Sequence, residues 1–235
     1  MINFVILCGG FGNRFQKVSK ELPKILIDID NKGSMLNWLL NEYLPHKSSV
    51  ILSTGHLHEK IFDYLNKNKY KQKIILSNES SPLGTAGALS NASRLVDTEE
   101  FIALNGDTIQ ELSINSFLEK SDLRNNLYIN VGCTLKNKND SGMLLIDEAF
   151  YIKKFTEKEV PKFLTKNKLK LVSSLGIYRC RSSFFKSLPI SYLSLEEELL
   201  PLLVSKKKAK ASVFEQDFHD FGTYERYNKL RKDLL

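Results

Sequence analysis

Short apolar runs alternate along the chain with segments whose apolar residues recur at helical spacing. In the first half, the runs predict strands at residues 3–8, 25–29, 49–54, 73–77, 101–104 and 127–134. The segments between them predict helices at residues 35–44, 58–66 and 85–95. This order of strand, helix and strand, with short links, is typical of a parallel sheet covered on both faces.

The pattern is more mixed in the second half of the chain. It predicts strands at residues 143–146, 152–155, 171–180 and 210–214, and helices at residues 195–204 and 224–235. The sequence contains no internal repeat, low-complexity tract or obvious linker. We therefore expect one α/β domain with a mixed, mostly parallel central sheet flanked by helices.

The bulk composition changes this picture little. Of the 235 residues, 42% are hydrophobic and 26% are charged, which is ordinary for a soluble globular protein. The net charge of +7 could suggest nucleic acid, but the lysines are scattered and their densest run is Lys206-Lys207-Lys208. We expect a solvated surface and no nucleic-acid partner, and the positive bias also suits a small anionic substrate such as a phosphate ester.

The sequence also bears on location. No apolar run approaches the roughly 18 residues that suggest a membrane span, so we expect no membrane partner. The N-terminus has the pattern of a strand, not of a basic segment followed by a cleavage site. Three cysteines (Cys8, Cys133 and Cys180) share no metal-like spacing, and this sparse, odd number fits a reducing cytoplasm.

The first predicted strand ends in the glycine-rich stretch ILCGGFGNRF, residues 6 to 15. Ligands of open α/β sheets bind at the carboxyl ends of strands, so this loop is a candidate site. It fits neither a dinucleotide fingerprint, because Phe15 replaces the third glycine, nor a Walker A loop. Backbone N–H groups beside Arg14 nevertheless suit a polyphosphate, and Lys24 follows a proline that restricts the backbone. The alternative is a glycine turn with two surface cations.

Three further stretches carry candidate chemistry. FIALNGDTI, residues 101 to 109, ends a predicted strand in Asn105-Gly106-Asp107, and a carboxylate there is placed to hold a hard cation. ESSPLGTAGALSNA, residues 79 to 92, opens a predicted helix that Thr85 can cap. FHDFGTYERY, residues 218 to 227, puts Asp220 before a glycine and a helix with Thr223 at its start. Each stretch taken alone could also be an ordinary turn or helix cap.

Taken together, these motifs resemble the sugar-1-phosphate nucleotidyltransferases. LCGGFGNRF followed by ELPKIL is similar to the family signature GGxGxR with a later PK, although Asn13 stands where many members have Thr. LGTAGA most resembles the branch of D-glycero-D-manno-heptose 1-phosphate and mannose-1-phosphate guanylyltransferases. KKFTEK, SSLGIYRC and LSLEEELLP resemble the sugar-side segments, with Ser174 at a position that is usually Asn and Ser194 as a helix cap.

The resemblance implies a Rossmann-like nucleotidyltransferase fold and a role for each matched residue. It implies catalytic roles for Arg14, Lys24 and Asp107, and Mg²⁺ as a cofactor held by Asp107 and Asp220. It implies that residues 1–110 bind the nucleotide, through Leu7, Gly9, Gly10, Gly12, Asn13, Glu79, Leu83, Gly84, Thr85, Gly87, Asn105 and Gly106. It implies that residues 111–235 bind the sugar phosphate, through Gly142, Glu157, Lys158, Ser174, Gly176 and Glu196.

The implied reaction joins a nucleoside triphosphate, with GTP favoured, to a sugar 1-phosphate of heptose or mannose type. The product would be a nucleotide-sugar for capsule, S-layer or lipopolysaccharide synthesis, and the protein would be a monomer or homodimer. A uridylyl-, thymidylyl- or cytidylyltransferase is the alternative within this class. A non-catalytic nucleotide-sugar sensor or regulatory subunit is the alternative from another class, although the presence of Arg14, Lys24, Asp107 and Asp220 argues against it.

The first prediction concerns Lys24, which we expect to lie between two mutually repelling phosphates. Loss of such a positioned charge typically costs about 10²–10³-fold in rate. A Lys24→Ala variant should therefore lose turnover on this scale in a pyrophosphate-release assay, and near-normal turnover would contradict the assignment.

Overall fold

The computed structural model describes residues 2–10, 12, 21–29, 33–136, 142–156 and 169–233. Strands and helices alternate in its first half, as the sequence predicts. In chain order these elements are β1 (Asn3–Leu7), α1 (Met35–Trp38, continued by a π-helical segment at Leu39–Tyr43), β2 (Ser49–Thr54), α2 (His58–Lys67), β3 (Lys73–Asn78), α3 (Gly84–Ser93), β4 (Glu100–Asn105), β5 (Thr108–Gln110) and α4 (Ile114–Lys120).

In the described part of the second half, four strands precede the next helix. In chain order its elements are β6 (Ile129–Thr134), β7 (Met143–Ile146), β8 (Ile152–Thr156), β9 (Lys170–Arg181), α5 (Ser182–Ser187), a π-helical segment (Leu195–Leu199) that continues into α6 (Leu200–Ser205), β10 (Ala209–Phe214), β11 (Phe218–Asp220) and α7 (Tyr224–Asp233). Among the described residues, every helix is too short or too polar to cross a bilayer.

Nine strands of the described residues form one sheet, in which seven lie in the order β10-β6-β9-β4-β1-β2-β3. β1 runs parallel to β2 and β4, β2 runs parallel to β3, and β10 runs parallel to β6. β9 lies antiparallel between β4 and β6, and it also pairs with β7, which pairs with β8. A small separate ribbon pairs β5 with β11. This arrangement confirms the predicted α/β class with its mixed, mostly parallel central sheet.

Both faces of the central sheet are buried, which explains why its strands are continuous apolar runs. In β4, Ile102 and Leu104 belong to one apolar cluster, whereas Phe101 and Ala103 belong to the cluster on the opposite face. Phe101 packs edge-on against Phe185 of α5, with 5.6 Å between ring centroids. The alternation of side chains therefore produces two apolar cores, one on each face of the sheet.

The strand predicted at residues 25–29 is wrong. Pro23 begins a 3-10 turn over Lys24–Leu26, in which Leu26 N donates to Pro23 O at 2.9 Å. The chain then makes a single bridge between Asp28 and Ser34. The apolar residues of this run are buried in the core. Because a buried turn needs apolar residues as a buried strand does, the two have the same pattern in the sequence.

Candidate active site

A cleft of about 380 Å³ opens at the carboxyl ends of β1 and β4. Among the described residues, most of those predicted for the nucleotide lie along it with Lys24 and Asp107, together with five that were not predicted. The predicted residues that line it are Leu7, Gly9, Gly10, Gly12, Lys24, Glu79, Leu83, Gly84, Thr85, Asn105, Gly106 and Asp107. The additional ones are Cys8, Ile25, Pro82, Ala88 and Tyr192.

The glycines after β1 serve different purposes. A Cβ on Gly9 would lie 2.9 Å from Glu79 Oε1 and 3.1 Å from Gly55 N, so this position is closed by the protein itself. A Cβ on Gly10 would meet nothing within 4 Å, so this position faces open space. Gly12 has φ +62°, a conformation that favours glycine. The loop therefore combines one tightly packed glycine with one that leaves room for a ligand.

Gly106 brings the loop after β4 against the end of β1. Its N–H donates to Leu7 O at 2.9 Å, and a Cβ there would lie only 2.6 Å from the same oxygen. This close approach fixes the position of the next residue, Asp107. Glycine is therefore required at position 106, because the neighbouring backbone leaves no room for a side chain.

Lys24 and Asp107 form an ion pair within the cleft. Lys24 Nζ lies 3.2 Å from Asp107 Oδ2, and both side chains are partly exposed, at 22% and 34% respectively. The turn after Pro23 places Lys24, whose aliphatic stem runs beside Gly12. The predicted cation thus faces the cleft and lies beside the predicted metal-binding carboxylate.

The ribbon of β5 and β11 brings Asp220 next to Asp107. Asp220 pairs in register with Thr108, and Phe221 N donates to Asp107 O at 3.2 Å. Asp220 Oδ1 accepts hydrogen bonds from Gly222 N at 3.0 Å and from Arg226 Nη1 at 2.7 Å. Two aspartates far apart in sequence therefore occupy neighbouring backbone positions.

Asp107 and Asp220 offer carboxylate oxygens, which are the kind of ligand that Mg²⁺ takes in proteins. Among the described residues, no three His, Cys, Asp or Glu side chains form a group that could hold a metal ion. Mg²⁺ commonly binds through one or two carboxylates and completes its shell with water and substrate phosphates. Asp107 and Asp220 provide such a donor set, and Lys24 and Arg226 balance its charge.

Glu79 holds the wall of the cleft near the start of α3. Its Oε1 accepts from Ser53 Oγ at 3.0 Å, and its Oε2 accepts from Leu83 N at 3.2 Å. Burial raises the pKa of the Glu79 carboxyl above its ordinary value, while these two hydrogen bonds oppose the rise. The carboxylate is fixed in direction and retains further acceptor capacity.

Residues from the second half of the chain complete this wall. The prediction that Thr85 caps α3 is wrong, because the N-cap of this helix is Leu83 and no side chain caps it. Thr85 instead donates its hydroxyl hydrogen to Glu196 Oε2 at 2.8 Å. Gly84 has φ +65°, and a Cβ on Gly87 would overlap the carbonyl oxygen of Ser191. The predicted cap Ser194 is confirmed, because its Oγ accepts from Glu197 N at 3.0 Å.

Besides Glu196, three predicted sugar-side residues are described, and they are linked to one another next to Asn105. Ser174 N donates to Gly142 O at 2.8 Å, and Gly176 N donates to Ser174 Oγ at 3.2 Å. Gly176 has φ +68°, and a Cβ there would lie 2.9 Å from Asn105 Nδ2. These three residues therefore form one group that adjoins the cleft.

Four predicted site residues lie outside the described residues. They are Asn13, Arg14, Glu157 and Lys158. Their roles stay predictions.

Comparison with known proteins identifies the family. The profile of the nucleotidyl transferase family matches residues 3–235. The chain belongs to the nucleotidyl transferase family. This membership confirms the resemblance on which the residue assignments were based.

Several relatives of this nucleotidyl transferase have named activities. It is 30% identical to a D-glycero-alpha-D-manno-heptose 1-phosphate guanylyltransferase of Aneurinibacillus thermoaerophilus, covering 98% of this chain and 97% of that protein. It is 31% identical to a Campylobacter jejuni protein of the same name, covering 95% and 96%. Mannose-1-phosphate guanylyltransferase 1 of Arabidopsis thaliana is 29% identical, and the match covers 93% of this chain but 60% of that longer protein.

Solved structures share the fold of this nucleotidyl transferase. HddC from Yersinia pseudotuberculosis is similar with a TM-score of 0.80 and 29% identity over the whole of both chains. A second structure of HddC, complexed with GMP-PN, is similar with a TM-score of 0.78 and also 29% identity.

Arg226 and Tyr192 are among the side chains of this nucleotidyl transferase that sequence reasoning missed and the structure brings to the site. Arg226 contacts Asp220, and Tyr192 lines the cleft. Arg226 lies within the quoted stretch FHDFGTYERY, but its spacing from Asp220 indicates a contact only once β11 and α7 are placed. Tyr192 precedes the LSLEEELLP motif closely, and nothing local connects it with α3.

The contrast between Gly9 and Gly10 gives a second prediction. Gly9→Ala should lower the free energy of unfolding by about 1–3 kcal/mol, because the added methyl overpacks against Glu79 and Gly55. Gly10→Ala should leave unfolding unchanged and weaken nucleotide binding, because its methyl occupies ligand space. Denaturant unfolding and nucleotide titration of both variants check this. Equal stability of the two variants would contradict the distinction.

Proposed function

We propose that this protein transfers the guanylyl group of GTP to a sugar 1-phosphate, favouring a heptose or mannose type, and releases pyrophosphate. The observation that carries the proposal is the meeting of Lys24, Asp107 and Asp220 at the end of a glycine loop. Support for the guanylyl group comes from the names of the relatives that align over nearly the whole chain.

The chemistry requires two anions to approach each other. An oxygen of the sugar phosphate attacks the α-phosphorus of the triphosphate, a new P–O bond forms, and the bond to pyrophosphate breaks. Such transfers need alignment and charge neutralisation more than covalent help from the protein. Lys24 lies where it can exchange its contact with Asp107 for phosphate oxygens, and Arg14 with the loop N–H groups would hold the pyrophosphate.

The two aspartates are the proposed magnesium ligands. Magnesium, when bound there, would neutralise phosphate charge during the transfer. Arg226 and Gly222 both donate to Asp220 Oδ1, which holds that carboxylate in one orientation and leaves Oδ2 to face other partners.

No protein nucleophile is needed, and the thiol in the cleft is unsuited to the task. Cys8 Sγ donates to Ser53 O at 3.1 Å. Burial, with a smaller contribution from Glu79, raises the pKa of this thiol well above its ordinary value. The group therefore stays protonated, and direct displacement is the favoured route.

Glu79 supports guanine as the base. Guanine presents two adjacent N–H donors on its pairing edge, and a carboxylate can accept from both. The fixed orientation of Glu79 beside Leu83 at the cleft wall provides such an acceptor. Uracil and thymine present a donor next to acceptors, so a carboxylate matches them less well.

We assign the sugar phosphate to the group of Gly142, Ser174 and Gly176, which adjoins the cleft at Asn105, with Glu157 and Lys158 as further partners. Glu196 stays a candidate sugar contact, although its bond to Thr85 also ties it to the nucleotide wall. The division into a nucleotide half and a sugar-phosphate half belongs to the same proposal. We further propose cytoplasmic synthesis of a nucleotide-sugar for surface polysaccharide.

A pyrophosphate-release assay tests the proposed activity. It combines GTP, ATP, UTP and CTP separately with a panel of sugar 1-phosphates that includes heptose, mannose and glucose forms, with and without Mg²⁺. We expect the fastest release with GTP and a heptose or mannose 1-phosphate, and loss of release when Mg²⁺ is chelated. Preference for a pyrimidine triphosphate would favour the alternative transferases, and release with none would favour a binding or sensor role.

Glu79→Gln tests the base assignment. The amide offers one donor and one acceptor, so it should lower kcat/KM for GTP by about tenfold or more and narrow the preference for GTP over UTP. Glu119→Gln, at an exposed position on α4, is the matched control. An unchanged ratio of GTP to UTP would remove Glu79 from base recognition.

A further inference from the structure

The segment between α5 and the following π-helical turn is fastened to α3 at both ends. Ser90 Oγ donates to Leu188 O at 3.0 Å, at the start of the segment. At its end, Leu193 N donates to Leu83 O at 2.8 Å, and Ala86 N donates to Leu193 O at 2.9 Å. The segment is therefore held in a defined position against the helix that opens beside Glu79.

Tyr192 lies within this fastened segment, directly before Leu193. It is 67% exposed, the largest exposed fraction among the large hydrophobic side chains of the described residues. It also lines the cleft together with Leu83 and Gly84. An exposed aromatic residue on a mobile loop would need no explanation, but here the neighbouring backbone is fixed by residues of the same cleft wall.

The charges in the cleft indicate which part of a nucleotide reaches Tyr192. Lys24 and Asp107 occupy one end, where phosphates and their counter-ions belong. Glu79 and Leu83 form the other wall, and the segment of Tyr192 is bonded directly to Leu83. The aromatic ring therefore belongs to the end proposed for the base.

We propose that Tyr192 is a base-binding residue whose ring stacks on the face of the guanine, while Glu79 contacts its edge. This rests on the proposed function and adds a second determinant to it. Stacking of an aromatic ring on a base contributes substantially to nucleotide affinity and does not depend on hydrogen bonding. Because the backbone is already fixed and the side chain has few torsions, little ordering opposes the contact.

The test measures GTP binding by calorimetry in the presence of Mg²⁺ and without sugar phosphate. Tyr192→Ala should weaken GTP binding by about 5- to 150-fold, whereas Tyr192→Phe, which keeps the ring, should bind within about twofold of wild type. Phe62→Ala, which removes an exposed ring from α2, is the control and should change nothing. In steady state, Tyr192→Ala should raise KM for GTP and leave kcat little changed.

A spectroscopic readout separates stacking from a general disturbance of the loop. The chain contains one tryptophan, Trp38, which is buried in the core. In Tyr192→Trp, added GTP should quench the new fluorescence, whereas the wild-type signal should not change.

Several outcomes would overturn the inference. Equal GTP affinity of Tyr192→Ala and wild type would do so, as would an effect confined to KM for the sugar phosphate, which would assign the ring to the sugar. A wild type that binds another triphosphate in preference to GTP would overturn the guanine assignment, and the Ala variant would then show whether the ring stacks on that base. A wild type that binds no triphosphate would overturn both proposals.

Discussion

The parallel pairing of β1 with its neighbours β2 and β4 is the constraint on which the cleft depends. It ends three strands at one edge of the sheet, so their following loops must meet there. Glycine is required where they meet, because Gly106 contacts the carbonyl of Leu7 and Gly9 contacts Gly55. Side chains at either position would force the loops apart, and with them Glu79 and Asp107.

Charge compensation is the second organising feature of the site. Each proposed magnesium ligand has its own cation, since Lys24 contacts Asp107 and Arg226 contacts Asp220. Two neighbouring carboxylates without such partners would repel each other. The two ion pairs differ in the position of the cation. Lys24 lines the cleft, whereas Arg226 lies on α7, the helix that follows β11. A ligand entering the cleft can thus compete for Lys24 while Asp220 stays oriented.

The sequence was sufficient for the long elements and insufficient for the short ones. The bounds of β2 and β7 agree with the prediction, because each contains a run of buried apolar residues, VIL in β2 and MLLI in β7. β5 and β11 were not predicted, since three residues are too few to show a period. Helix α4 was also missed, although Ser113 caps it and was a readable signal.

The same limit applies to the site. Glycines and acidic residues at strand ends could be read locally, and the family resemblance supplied their roles. Arg226 and Tyr192 could not be found in this way, because their places at the site depend on how elements far apart in the sequence come together in the fold. Tyr192 is held at the nucleotide wall because the next residue, Leu193, donates its N–H to Leu83 O, and no periodic pattern in the sequence predicts that bond.

The late position of β9 in the chain has a consequence for synthesis. β9 fills the place between β4 and β6 at the centre of the sheet, yet it is translated after both of them. Until it emerges from the ribosome, β4 has an open edge whose backbone groups can pair with another chain. Insertion of β9 covers this edge and so removes a surface through which nascent chains can self-associate.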